Sequence, residues 1–148
     1  SVFDVEGCRH YQPGAPPGGR LGGIAAFRHV SCHIEKTADS GLWLHSHGLI
    51  KFGRPELELF DVPAGLRLAA SMLLFGLSQQ MLEGAVLRPG DSLGGIELRK
   101  GRNPDGHYDV PVLELDCSGP GAARDLKRLA SRLECELARR GDWAPGAP

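Results

Sequence analysis

Apolar and polar residues alternate along this chain in short runs, then settle twice into helical spacing. The first run, residues 1–6, sets Val2 and Asp4 against Phe3 and Val5 and predicts a short edge strand. Residues 7–23 are so rich in glycine and proline that they predict a long loop. Alternation returns over 24–35. Ala26, Arg28, Val30, Cys32 and Ile34 share one parity, and Phe27, His29, Ser31, His33 and Glu35 share the other. Such a run predicts a strand with one buried and one wetter face. The connection through Thr37–Gly41 is short, so residues 41–46 are expected to pair with it as an antiparallel hairpin. A turn at Gly53-Arg54-Pro55 leads into a third strand, Glu56–Phe60.

Helical spacing begins at Ala64. Leu66, Ala69, Ala70, Leu73, Leu74, Leu77 and Met81 recur on one side up to about Glu83, with Asp61 as the expected cap, Pro63 in the first turn and Gly84 as the stop. Two further strands, Gly95–Lys100 and Asp109–Cys117, flank the polar turn 101–108 as a hairpin, and Pro111 points to an edge or a bulge in the second. Ser118 is the expected cap of a last helix, about Gly121–Arg140, with its stripe at Ala122, Leu126, Leu129, Ala130, Leu133 and Leu137. Gly141 ends it, and 142–148 form a tail. The order of elements predicts an α+β fold in one domain, 1–141: a mainly antiparallel sheet with two amphipathic helices packed on one face. Leu66, Leu73 and Leu77 should meet Leu126, Leu133 or the sheet.

Charge and composition exclude more than they assign. Seventeen basic residues against eighteen acidic ones, a net charge of −1, give no global attraction to nucleic acid or an anionic membrane. Aromatics make up 6% of the chain, too few for a base-stacking platform. No apolar run approaches the ~20 residues of a membrane span. The opening does not read as a leader, although Ser1 suggests a trimmed chain, and a cytoplasmic protein is expected. Cys8, Cys32, Cys117 and Cys135 form no C-x-x-C pair and are expected as free, mostly buried thiols. The basic excess of the last helix would suit an acidic partner, but a solvated face is its simpler meaning. The glycine groups match no phosphate loop.

The candidate chemistry sits at His45 and His47. On a strand, residues two apart share a face, ~7 Å along the chain. Neutral imidazole is a common zinc ligand. His33 and Glu35 lie on the polar parity of the partner strand, and Glu58 follows in the third, so His45, His47, His33, Glu35 and Glu58 form the candidate functional cluster. Cys8 and His10 in the loop are further possible donors. The plain alternative is that the pair serves the turn before Gly48.

Two resemblances bear on this choice. Residues 42–47, "LWLHSH", resemble the opening of the JAMM-type metallopeptidases, whose motif runs H-[ST]-H-P and then S-x-x-D. That resemblance implies zinc on His45 and His47, with Glu35 or Glu58 as base or ligand. Gly48, Pro55 and Glu58 stand where proline, serine and aspartate are usual. Residues 45–58 are also similar to a group of uncharacterised bacterial domains sharing H-[ST]-x-G-[LM]-x-x-F-G-x-P-[ED]-L-E. The positions matched are His45, Gly48, Leu49, Phe52, Gly53, Pro55, Glu56, Leu57 and Glu58. This second resemblance implies an α+β fold and no established activity. The favoured expectation is a soluble accessory or interaction domain that meets a protein partner and needs no cofactor, with the histidines serving the turn. The alternative is a zinc-dependent hydrolase. Oligomeric state is not readable from these patterns.

Overall fold

Apolar residues at every second position build one face of the central sheet. Leu42, Leu44, Leu57, Leu59, Ile96, Leu98, Leu113 and Leu115 join a single buried core with the helices. The computed structural model describes residues 25–37 and 41–139; the expected strand 1–6, loop 7–23 and tail 142–148 lie outside them. The strands are β1 (Ser31–Lys36), β2 (Leu42–His47), β3 (Glu56–Val62), β4 (Ser92–Leu93), β5 (Ile96–Lys100) and β6 (Val112–Asp116). They lie in the order β1-β2-β3-β6-β5-β4. Every neighbouring pair is antiparallel except β3 and β6. That parallel pair exists because helix α2 (Arg67–Leu82) carries the chain back before the β4–β5 hairpin begins. With α3 (Ala122–Arg139) beside α2 on the leucine face, the fold is α+β with a mainly antiparallel sheet. Among the described residues no helix is long and apolar enough to cross a membrane.

Several local expectations need correction. Residues 25–29 are a short helix, α1, and the strand starts only at Ser31. The Ala26 amide donates to the buried Gln79 side chain of α2 (2.9 Å), and Val30 N–H returns to Ala26 O (2.9 Å). Tertiary packing against α2 thus overrides the alternating pattern. Asp61 makes no cap bond; it lies within β3, next to its last residue, with φ 56, and a 3-10 turn, Ala64–Leu66, precedes α2. Ser118 bonds Asp116 rather than the end of α3. Pro111 lies just before β6, which is an interior strand, and its carbonyl accepts from Glu56 N–H (3.1 Å).

The stripe of α3 is buried as its spacing requires: Ala122, Leu126, Leu129, Ala130, Leu133 and Leu137. α2 is enclosed on more sides, between the sheet, α3 and α1. Leu66, Leu73 and Leu77 share its core with Leu126 and Leu133. The two helices approach closely at Gly76, where an added Cβ would stand 2.7 Å from Leu133 Cβ. Replacing Gly76 by Ala should raise helix propensity by ~1 kcal/mol. The overlap falls on a Cβ bonded directly to the backbone of α3, which cannot swing away, and overpacking of this kind costs ~1–3 kcal/mol. The expected outcome is net destabilisation in urea unfolding; a stabilised Gly76→Ala protein would contradict the helix contact.

Candidate metal centre

Alternation that turns leucines toward the helices turns polar residues to the opposite face. Register sets His33 opposite His45, His45 opposite Glu58, Glu58 beside Glu114, and Glu114 opposite Arg99. One polar row therefore crosses five strands. Its middle is withdrawn from water: His45 and Glu58 are 0% exposed and Glu114 1%. Buried polar groups on this scale need partners.

Glu114 has two. Arg99 and Arg102 clamp it, with Arg99 Nε 2.7 Å from Oε2 and Arg102 Nε 2.9 Å from Oε1. Glu58 accepts from the Trp43 indole (3.2 Å) and the Asn103 amide (3.0 Å). Burial raises the Glu58 carboxyl above its ordinary range.

The imidazoles have each other. His47 Nε2 lies 3.2 Å from His45 Nδ1 and 3.1 Å from His107 Nε2. His33, His45 and His47 each bring a ligand atom within 4.8 Å of the other two. Behind His45, Nε2 meets Glu35 Oε2 at 3.1 Å. Beside it the Tyr108 hydroxyl lies 2.9 Å from Nδ1 and donates to Ser46 O (2.5 Å). Rings on either side fix the rotamers: Trp43 stacks on His45 with centroids 3.9 Å apart, and His33 stacks on His47 at 4.3 Å. Burial, then the neighbouring imidazoles, push His45 down to about 2, so it is neutral at any ordinary pH. Neutral imidazole is the metal-binding form. Burial also raises the Glu35 carboxyl.

The turn after β2 is organised by a different residue. Glu56 is 0% exposed and accepts from Ser46 Oγ (2.9 Å) and from the amides of Gly48 (3.1 Å), Leu49 (3.1 Å) and Ile50 (3.4 Å). Gly48 has φ 126, and a Cβ there would stand 2.1 Å from His29 O, so the position admits glycine only. The amides of the turn before Gly53 are thus served by Glu56, and the histidine rings point to one another.

The structure brings His33, Glu35, His45 and His47 together; Glu58 shares their row but is engaged by Trp43 and Asn103. Sequence reasoning missed His107 and Tyr108, which lay in what read as a polar turn. A histidine and a tyrosine adjacent in a loop between two strands were the available signal. Cys32 and Cys117 are free and half-buried, pushed up to about 11 and about 12 mainly by burial, which makes them poor nucleophiles and ligands. Cys8 and His10 lie outside the described residues. Comparison with protein-family models, curated proteins and solved structures finds no match to the chain.

Glu56 yields a pH prediction. Burial pushes its carboxyl up to about 7, against the pull of its four donors. A folded-state pKa above the unfolded one means that the folded chain binds the extra proton. Its stabilising contribution is therefore full below the unfolded value of 4.5 and is lost as pH rises through about 7. The stability of the native protein minus that of Glu56→Gln should fall by a few kcal/mol across this window and then level off. Chemical denaturation at a series of pH values checks it, and a difference that rises with pH would contradict it.

Proposed function

We propose that this chain is an accessory domain tied together by one divalent transition-metal ion of the zinc class, held by the imidazoles of His33, His45 and His47. His107 stands beside them as a fourth imidazole, its Nε2 3.1 Å from His47 Nε2. The observation that carries this reading is that His33, His45 and His47 each bring a ligand atom within 4.8 Å of the other two, with His47 Nε2 3.2 Å from His45 Nδ1. Zinc–nitrogen bonds of ~2.0–2.1 Å in a tetrahedron set ligand nitrogens about 3.3 Å apart. Hydrogen bonding accounts for the spacing less well. A single ring nitrogen offers one proton or one lone pair, yet His47 Nε2 faces two other ring nitrogens. A cation takes a lone pair from each of them at once.

The surroundings suit the same ion. Glu35 at His45 Nε2 forms the kind of carboxylate–histidine pair that fixes a ligand's ring orientation. Imidazole donors favour zinc, copper or nickel over magnesium or calcium. A zinc ion bound here would supply ligand bonds that contribute directly to folding free energy. The hydrolase alternative has less support, because it needs substrate to reach ligands, and His45 and His47 are 0% exposed.

Protein purified without chelator should carry close to one equivalent of zinc by elemental analysis. The double variant His45→Ala, His47→Ala should carry none. A chelator should lower the melting temperature of the native protein and leave that of the variant unchanged. Native protein that takes up no zinc in equilibrium dialysis, or keeps it after both substitutions, would overturn the proposal.

A further inference from the structure

Strand β5 has an outer edge that the chain covers only in part. Successive residues of a strand turn their backbone groups to opposite sides. Gly101 N–H meets β6 at Val112 O (2.9 Å), whereas Leu98 faces the other way, donating to Asp91 O (2.8 Å) and accepting from Gly90 N–H (2.8 Å). Lys100, two residues from Leu98, therefore presents its N–H and C=O on the outer edge. The pairing of Ser92 with Glu97 and of Leu93 with Ile96, carried on, would set Pro89 opposite Lys100. Proline has no N–H to continue the ladder. Instead a tight turn closes from Arg88 to Asp91 (Asp91 N–H to Arg88 O, 3.1 Å), with Gly90 at φ 97, and carries the chain off the edge. Among the described residues none hydrogen-bonds the Lys100 backbone there.

Lys100 and Pro89 line a cavity of about 380 Å³ at this place. Pro55, Leu87, Val110 and Leu113 add apolar walls, and Lys100 is the one charged residue among those lining it. Asn103, the other polar side chain there, is already engaged: it donates to Tyr108 O (2.6 Å) and accepts from Tyr108 N–H (2.7 Å). The walls are held by the sheet, since Gly101 N–H is bonded to Val112 O and Pro111 O accepts from Glu56 N–H (3.1 Å). The cavity is thus formed before any ligand arrives, and its size falls within the range of small-molecule sites.

We infer that this cavity binds a small carboxylic acid with an apolar body, a medium-chain or aromatic carboxylate. The hydrocarbon part lies between the proline, leucine and valine walls, and the carboxylate meets the Lys100 ammonium and the Lys100 N–H on the strand edge. One cation and one amide match a monoanion with two oxygens, whereas a phosphate dianion would keep a charge unpaired. A sugar or nucleotide would bury hydroxyls against walls that offer them no partner. The inference does not rest on the ion-site reading.

Titration of the full chain with sodium octanoate, followed by amide NMR shifts and calorimetry, tests this beside octanol and acetate. Octanoate should bind one to one and shift the amides of Leu87, Lys100, Gly101, Val110 and Val112. Octanol, which keeps the body and loses the charge, should bind roughly fivefold more weakly, and acetate not measurably. Lys100→Gln should weaken octanoate by about the same factor and leave octanol unchanged. Octanoate that shifts none of these amides, or binds no better than octanol, would overturn the proposal. So would an unchanged octanoate affinity in Lys100→Gln. The comparison of the three probes on native protein decides the matter even if that variant does not fold.

Discussion

Withdrawing imidazoles and carboxylates from water is the constraint on which the face of this sheet turned away from α2 and α3 depends. His45, His47, His107, Glu56, Glu58 and Glu114 are all buried. Each would be costly there without partners, and each group has found a different solution. Glu114 is neutralised by two arginines, and Glu56 is solvated by three amides and a hydroxyl. Glu58 takes an indole and an amide. The imidazoles converge on one another, with Glu35 and Tyr108 at the margin. An ion is the partner we propose for imidazole nitrogens gathered this closely.

The leucine face makes that arrangement possible. A sheet whose other side is closed by α2 and α3 can carry polar residues inward without losing its core. The β2–β3 register places Leu44 against Leu59 and His45 against Glu58, so core and polar row are fixed by the same backbone pairing. A slip of one residue would exchange the two faces. Glu56 guards against it at the end of the hairpin, because its carboxylate reaches only the turn of the observed register. Fold and site are specified together.

Some of this was legible in the sequence. Period-two alternation identified the hairpin of β1 and β2, and with it the shared face of His33, Glu35, His45 and His47. Helical spacing identified both long helices. The parallel β3–β6 pair was not legible, since strand direction across a long crossover leaves no local trace. His107 was hidden for a similar reason: it sits 60 residues from His47, and only the third dimension brings them together. The role of Glu56 was hidden because alternation treats a glutamate at a strand start as an exposed residue. Residues 25–29 misled, because an alternating pattern of five residues also fits one turn and a half of helix.

The central claim concerns which atoms surround the ion, so the most direct measurement is X-ray absorption at the zinc edge of the loaded full chain. The account predicts a first shell of three or four nitrogens at about 2.0–2.1 Å with the outer-shell scattering of imidazole rings. A shell of oxygens, or a sulfur near ~2.3 Å, would place zinc elsewhere in the molecule and contradict it.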